Sequence, residues 1–283
     1  MIPLALLQSD IERLFPLPVS LPKLACALAD PMGNLRQIVY IIQYDTALTA
    51  NVIRMANSAA FAPVNPILTV NDAVMRLGTG RILELAMGNQ VKGILTASCP
   101  GYELTEKELW RHSVAAALGA DLLTRFASKQ IPPVAFTAAL LHDIGKLIIS
   151  RQIKREWRLQ IADLVEAKGV PFIEAERMIL GVTHAEVGGA VAKRWSFPKV
   201  LADCIALHHE PDSEGNSSVA LDAVHIGNVV AKTLAVGMGS EQMNMVACAS
   251  AARRLGLTPE KFEALCANVL EDLPKIESLF EGV

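Results

Sequence analysis

The stretch TAALLHDIGKLIIS, residues 137–150, decides how the rest of this chain is interpreted. An apolar run ends in His142 and Asp143, and Gly145 and Lys146 follow immediately. An adjacent imidazole and carboxylate can bind a metal ion, or they can be two polar residues that close a helix. The predicted helices and the positions of the other histidines distinguish these two interpretations.

The spacing of apolar residues predicts an all-α fold. Apolar residues recur mostly at intervals of three and four, whereas alternating runs of β-branched residues are nearly absent. Near the N-terminus we expect helices over 34–45, 46–61 and 69–91, because segments rich in Pro, Gly and Asn separate these periodic stretches. The chain is therefore predicted to be a helical bundle.

A change in local composition predicts that the bundle has two parts. The segment TASCPGYEL, residues 96–104, has the composition of a hinge. Thr105 and Glu108 then form a capping-box pattern that would start a new helix. We therefore expect an N-terminal helical subdomain over residues 1–100 and a second helical domain over residues 101–283.

Charge, hydropathy and cysteine content argue against several classes of protein. The 26 basic and 29 acidic residues give a net charge of −3, so there is no strong nucleic-acid signature. No uncharged apolar run reaches the roughly 18 residues that cross a bilayer, and the N-terminal stretch lacks the basic region of a secretory signal. The five cysteines are scattered and never in CxxC spacing, which favours reduced thiols in a cytoplasmic protein.

All six histidines lie between residues 112 and 225, at or near predicted helices of the second part. They are His112, His142, His184, His208, His209 and His225. Pro132 and Pro133 can open a helix that runs to about His142, with Gly145 in the left-handed conformation just past its end. The His-Asp pair would then lie in the last turn of that helix.

Two further helix boundaries position the remaining histidines of the cluster. Thr183 and Glu186 form a capping box that makes His184 the first residue of the helix over 184–195. Pro198 can begin a helix whose final turn carries the adjacent histidines of the HHE segment, residues 208–210. Clustering and placement at helix ends favour a metal site over unrelated core histidines.

The residue types indicate which metals such a site would bind. Several imidazoles with one carboxylate fit iron, manganese or zinc better than calcium or magnesium, and adjacent histidines could serve one ion or two. A bound ion activates water, and a pair of ions can also hold a phosphate for attack. Lys146 would then lie where its positive charge meets a phosphate oxygen. The alternative is that each histidine is a hydrogen-bonded core residue.

The order of these motifs resembles that of the HD superfamily of metal-dependent phosphohydrolases. HDIGK (142–146), HAEVGGAVAKRW (184–195) and HHE (208–210) follow His112 at similar spacing. The first part, over residues 21–61 and then AVMRLG (73–78), resembles the HDOD domain, the HD-related output domain of bacterial signalling. The resemblance covers about residues 15–235. It implies an HD-like helical core preceded by an N-terminal helical subdomain.

The resemblance also implies a set of site residues. Metal ligands would be His112, His142, Asp143, His184, His208 and His209. The last helix of the HD family supplies a metal-binding aspartate, and Asn228 lies at the matching place, as a possible replaced ligand. His225, three residues earlier on the same face, is interpreted as a packed, hydrogen-bonded residue.

Two departures from the family pattern argue against efficient catalysis. The loop after HHE is PDSEGNSS, residues 211–218, where the HD-GYP branch has its GYP tripeptide. Asn228 leaves Asp143 as one carboxylate against one or two divalent ions, unless Glu186, Glu210 or a bridging hydroxide contributes.

Two functions remain open from the sequence. The first is a bacterial signalling or regulatory HDOD module with a retained metal pocket and no efficient catalysis. It would act with a signalling protein partner or a small phosphorylated ligand. The second is a phosphohydrolase acting on a nucleotide or phosphodiester, in which Asp143 and Lys146 would be the catalytic residues.

Overall fold

The computed structural model describes residues 1–13, 20–30, 34–58, 61, 66–78, 81–82, 92–213, 217–241 and 248–281. Over these ranges the chain is helical and contains no β-strand, with one isolated bridge between Cys99 and Leu104. The predicted all-α fold is confirmed. None of the described helices combines the length and apolar character that a bilayer span requires.

The N-terminal third contributes five described helices, which side-chain caps help to start. The side chains of Asn34, Asp45 and Thr69 accept hydrogen bonds from backbone N–H groups at the starts of the third, fourth and fifth. The helix predicted over 34–45 is confirmed by α3. The helix predicted over 46–61 ends earlier, at Ala56, and the one predicted over 69–91 stops at Leu77 because Gly78 follows with a φ of 77°. Residues 59–60, 79–80 and 83–91 of these predictions lie outside the described residues. The helices are α1 (Leu4–Arg13), α2 (Ser20–Ala29), α3 (Leu35–Gln43), α4 (Thr46–Ala56) and α5 (Val70–Leu77).

Ten further helices complete the described fold. They are α6 (Glu108–Leu122), α7 (Val134–Leu141), α8 (Gly145–Ile149), α9 (Arg155–Glu166), α10 (Phe172–Leu180), α11 (His184–Arg194), α12 (Lys199–Leu207), α13 (Val219–Thr233), α14 (Ala249–Leu255) and α15 (Pro259–Glu281). Short 3₁₀ turns cover Pro100–Tyr102, Leu123–Arg125 and Gly239–Glu241. A continuous core of buried Leu, Ile, Val and Ala side chains runs through the chain.

The start of α6 differs from its prediction. The helix begins at Glu108, after Lys107 in the left-handed conformation, rather than after Thr105. The Glu108 carboxylate does accept the Thr105 N–H at 2.6 Å, so half of the predicted capping box forms. The division of the chain into residues 1–100 and 101–283 stays a prediction.

Helices α6 and α13 approach each other closely because each presents a glycine at the crossing. A Cβ atom built on Gly227 would lie 2.3 Å from the carbonyl oxygen of Ala116. Both helices are buried along most of their length, and small residues dominate the contacting part of α6. This close packing brings His112 of α6 and Asn228 of α13 to within hydrogen-bonding distance, 3.2 Å.

The His-Asp pair lies in a short turn between α7 and α8, and this turn packs against the start of α11. The predicted left-handed conformation of Gly145 is wrong, because Gly145 instead begins α8 and is absent from the residues with positive φ. Glycine is required there for a different reason: a Cβ would lie 2.0 Å from the carbonyl oxygen of His184. The glycine therefore allows the turn and the first residue of α11 to meet.

The caps predicted for α11 and α12 are confirmed. Thr183 and Glu186 form a complete capping box, so His184 is the first residue of α11. Pro198 is the N-cap of α12, and His208 caps its C-terminus. The helix starts predicted from local chemistry thus determine where two of the histidines project.

Candidate metal centre

Asp143 lies at the centre of the histidine cluster, and its carboxylate is 1% exposed. The Nε2 atoms of His142 and His112 lie 3.3 and 3.5 Å from its Oδ2 atom. The Nε2 atoms of His184 and His208 lie 3.3 and 3.8 Å from its Oδ1 atom. The fold therefore brings four imidazoles from separate parts of the chain around one buried carboxylate.

The Nδ1 atom of each of these four rings, which faces away from Asp143, donates a hydrogen bond to an oxygen. His112 Nδ1 donates to the carbonyl oxygen of Val236 at 2.8 Å, and His142 and His208 Nδ1 donate to backbone carbonyls three residues earlier at 2.6 and 2.8 Å. His184 Nδ1 donates to Glu176 Oε2 at 2.9 Å. Because these oxygens can only accept, each Nδ1 carries a hydrogen, and when a ring is neutral its Nε2 presents a lone pair to Asp143.

This arrangement fits a metal ion. Within the described part of the chain, His142 Nε2, His208 Nε2 and Asp143 Oδ1 are buried and have no hydrogen-bond partner. Buried polar atoms without partners are costly, and lone pairs that face a carboxylate repel it unless a cation lies between them. Imidazole nitrogens with outward N–H donors and one carboxylate are also the ligand chemistry that proteins use for zinc, iron and manganese.

His209 adds a second candidate ligand set beside the first. Its Nε2 atom lies 3.0 Å from Nε2 of His184, and the side chain is half-buried. His184, His208 and His209 have ligand atoms within 4.8 Å of one another, as do His112, His142 and Asp143. All six predicted ligands therefore meet in one region, arranged as two adjoining groups.

Lys146 points into the cluster instead of lying free for a substrate. Its Nζ atom is 2.7 Å from Asp143 Oδ2 and 2.6 Å from Glu241 Oε1. Lys232 binds the other oxygen of Glu241 at 2.5 Å. These four buried side chains form an alternating row of charges, so each buried charge has a partner of opposite sign.

Two buried glutamates at the site were not predicted from the sequence. Glu176 accepts both the ring and the backbone N–H of His184, each at 2.9 Å, and also accepts the Tyr102 hydroxyl. A signal for Glu176 existed, because it falls on the apolar face of α10, four residues from both Phe172 and Leu180. Glu241 lies in a 3₁₀ turn without apolar periodicity, and no comparable signal marks it.

Asn228, the possible replaced ligand, faces His112, with its Oδ1 atom 3.2 Å from the ring Nε2. His225 has the packed role predicted for it: its Nδ1 donates to the His208 carbonyl at 2.8 Å, and its Nε2 accepts the Cys248 N–H at 2.9 Å. Glu186 and Glu210, considered above as extra carboxylates, pair with Arg177 at 2.7 and 3.5 Å.

Burial and neighbouring charges separate the pKa values of the cluster. Burial lowers the pKa of His112 to about 4 and that of His208 well below its ordinary range. Burial opposes charge on His184 too, but the neighbouring carboxylates of Glu176 and Asp143 raise its pKa to about 9. Despite burial, His142 and Lys146 hold the pKa of Asp143 well below its usual value, so this carboxylate is ionised.

Metal-free protein is expected to lose stability as the pH falls below 6.5. The pKa of His112 falls from an ordinary 6.5 to about 4, so between these values the unfolded chain binds a proton that the folded chain does not. Stability therefore rises with pH across this window, and His112 alone should contribute a change of about 2 kcal/mol between pH 6.5 and about 5. Urea denaturation of EDTA-treated protein at a series of pH values measures this slope.

The His184 contribution has the opposite sign. Because its pKa is raised to about 9, its contribution is complete below pH 6.5 and is lost as the pH rises towards 9. The matched control for the His112 prediction is the His112→Asn variant. Its free energy of unfolding should fall less steeply than that of the wild type as the pH drops below 6.5. An identical acid slope in the two proteins would contradict this assignment.

Comparison with known proteins identifies the family. The HDOD domain model matches residues 14–211, which is more than half of the chain. The chain belongs to the HDOD domain family. The match includes helices α2 to α5 and the histidine motifs from His112 to His209, so the resemblance predicted from the sequence is confirmed.

Solved structures share the fold of this HDOD chain. An HDOD domain protein with unknown function from Geobacter sulfurreducens is 25% identical, with a TM-score of 0.70 over 98% of this chain and 97% of that one. A proposed phosphohydrolase from Shewanella amazonensis SB2B is 23% identical, with a TM-score of 0.63 over 95% and 94% of the two chains.

A sequence relative, an uncharacterized protein from Treponema pallidum (strain Nichols), is 24% identical over 200 residues. Those residues are 70% of this chain and 38% of the relative.

Proposed function

We propose that this HDOD chain is a bacterial signalling or regulatory module whose pocket holds a divalent transition metal as a structural or ligand-sensing centre. One observation carries the proposal. The Nδ1 atoms of His112, His142 and His208 donate to backbone carbonyls, so that the Nε2 atom of each ring faces the Asp143 carboxylate. Family membership supports the regulatory role, because the HDOD domain is the HD-related output domain of bacterial signalling. Efficient catalysis is not part of the proposal.

The residues that would hold the metal are the six predicted ligands: His112, His142, Asp143, His184, His208 and His209. The ion would be iron, manganese or zinc, bound singly or as a pair. A bound ion supplies positive charge that offsets Asp143 and joins several helices, and it can activate water. The chain itself contributes oriented rings, a buried anion and exclusion of solvent.

Three features support a regulatory rather than a hydrolytic pocket. His112, His142, Asp143, His184 and His208 are all buried, which limits access for a phosphodiester. Lys146 already pairs with two carboxylates, so its ammonium group is not free to meet a substrate phosphate. Asn228 provides an uncharged amide where the family pattern has an aspartate.

The partner of such a module would be a signalling protein or a small phosphorylated ligand. A proposed signal transduction protein from Marinobacter aquaeolei VT8 shares the fold over 98% of this chain and 64% of that one, with 20% identity and a TM-score of 0.68. The fold is therefore compatible with the proposed role. A binding event that moved α11 or α12 would change the pocket, because His184 and His208 lie at the ends of these helices.

The second candidate function is a metal-dependent phosphohydrolase. One observation favours it: His209 is half-buried and adjoins the buried ligand group, so an ion bound between His184 and His209 would be nearer the surface than Asp143. In this alternative Asp143 and Lys146 would be the catalytic residues. The Shewanella relatives described as proposed phosphohydrolases share only the fold with this chain.

Metal content and turnover measured on the same protein test the proposal. Protein purified without added metal is expected to contain iron, manganese or zinc in near-stoichiometric amount by mass spectrometry. Hydrolysis of bis(p-nitrophenyl) phosphate with each metal is expected to match that of the Asp143→Ala variant. Metal-free wild-type protein that fails to bind added ions would refute the metal pocket, and turnover lost in Asp143→Ala would favour the hydrolase.

A further inference from the structure

Glu241 is a buried carboxylate at the edge of the histidine cluster, and no motif predicts it. It ends the 3₁₀ turn Gly239–Glu241, beyond the last helix that carries a motif residue, and is 2% exposed. Its Oε1 atom lies 3.9 Å from His184 Nε2. The ligand atoms of Asp143, His184 and Glu241 lie within 4.8 Å of one another, a spacing that one metal ion can bridge.

The two oxygens of Glu241 have different surroundings. Lys232 holds Oε2 at 2.5 Å. Oε1 faces the cluster, where it meets Lys146 at 2.6 Å and approaches His184. The lysine therefore orients the carboxylate so that one oxygen points to the same space as the ring nitrogens.

The backbone before Glu241 is built to present it there. Gly239 has a φ of 51°, and a Cβ at this position would lie 2.2 Å from the carbonyl oxygen of Tyr102. Gly237, with a φ of 55°, approaches the carbonyl oxygen of Glu108 in the same way, at 2.2 Å from the position of a Cβ. Two left-handed glycines thus allow the segment after α13 to fold back over the cluster.

The ligand chemistry of the pocket also points to Glu241. With Asn228 in place of an aspartate, Asp143 is the one carboxylate among the ligands that the motifs predict. Glu241 would give the ligand set a second carboxylate, which in this structure is paired with Lys146 and Lys232. Asp143 Oδ1 and His208 Nε2, both buried, lack hydrogen-bond partners within the described residues, so unpartnered polar atoms already face this region.

We infer that Glu241 is a metal ligand of this chain and supplies the carboxylate that Asn228 does not. The inference rests on the proposed metal pocket and adds a residue that lies outside the HD motifs. Lys146 would have to release Glu241 Oε1 for ligation, while Lys232 keeps its hold on Oε2. A purely structural role for Glu241, as the counter-charge of two buried lysines, is the competing explanation.

Metal affinity of the Glu241→Gln variant tests ligation. Titration of EDTA-treated protein with Zn²⁺ or Mn²⁺ is expected to show affinity lowered by about tenfold or more relative to wild type. Glu271→Gln is the matched control, because Glu271 lies on α15, is 76% exposed and pairs with Lys275 at 3.0 Å, so its loss should leave affinity unchanged. If the Gln variant does not fold, Glu241→Asp keeps the charge beside the lysines but retracts the carboxylate, and it too should bind metal more weakly.

A spectroscopic variant reads the ligand directly. In Glu241→Cys loaded with Co²⁺, a thiolate-to-cobalt charge-transfer band is expected that is absent from wild type and from Glu271→Cys. Equal affinity in wild type and both Glu241 variants, with no such band, would overturn the inference while leaving the metal pocket intact. Failure of the wild type itself to bind metal would instead overturn the proposed function.

Discussion

The Asp143→Asn variant is expected to bind Zn²⁺ or Mn²⁺ at least about 100-fold more weakly than wild type. Removal of a group that merely hydrogen-bonds to a metal ligand commonly reduces metal affinity by about 10–100-fold, and Asp143 is the carboxylate around which four rings converge. Asparagine preserves the shape but removes the negative charge, and His142 and Lys146 keep that carboxylate ionised in the native protein. Isothermal titration of EDTA-treated protein measures the effect.

The matched control for this variant is Asp163→Asn. Asp163 lies on α9, is 60% exposed and pairs with Lys168 at 3.3 Å, so its loss should leave metal affinity unchanged. Circular dichroism establishes that both variants are folded before titration. If Asp143→Asn bound metal as tightly as Asp163→Asn, the ion would lie elsewhere and the central role of Asp143 would be wrong.

Local chemistry made much of the fold predictable. The capping box at Thr183 determines where α11 begins, and Pro198 determines where α12 begins. Both starts follow from interactions or backbone restrictions within a few residues. The three- and four-residue periodicity predicted the all-α fold for the same reason, since it reflects which face of each helix is buried. The motif order then identified the residues that gather at Asp143.

The features that escaped prediction depend on contacts between distant segments. Gly145 follows an apolar helix, as a left-handed cap would, but its actual constraint is the carbonyl of His184, 39 positions away in the sequence. Glu241 does not lie in a segment where apolar residues recur at helical spacing, and its approach to His184 depends on the path of the whole turn after α13. Lys146 was expected to meet a phosphate, yet the unforeseen carboxylate of Glu241 engages it.

Gly145→Ala is expected to destabilise the protein by about 3 kcal/mol, at the upper end for overpacking a buried site. The new Cβ would lie 2.0 Å from the His184 carbonyl oxygen and 2.7 Å from the Gly188 nitrogen. Both are backbone atoms, so no side-chain rotation relieves the clash, and α8 must move away from α11. Because His142 and Asp143 precede α8 and His184 begins α11, that movement should also weaken metal binding.

Gly93→Ala provides the matched control for this substitution. Gly93 lies in a helical segment at 92–95, and a Cβ built on it meets no atom within 4 Å among the described residues. Alanine is the better helix former, so this variant should be unchanged or more stable by up to about 1 kcal/mol. Urea denaturation of both variants in EDTA measures stability, and zinc titration of the folded proteins measures the pocket. Equal stability of the two variants would mean that α8 and α11 are not held at the close distance on which the cluster depends.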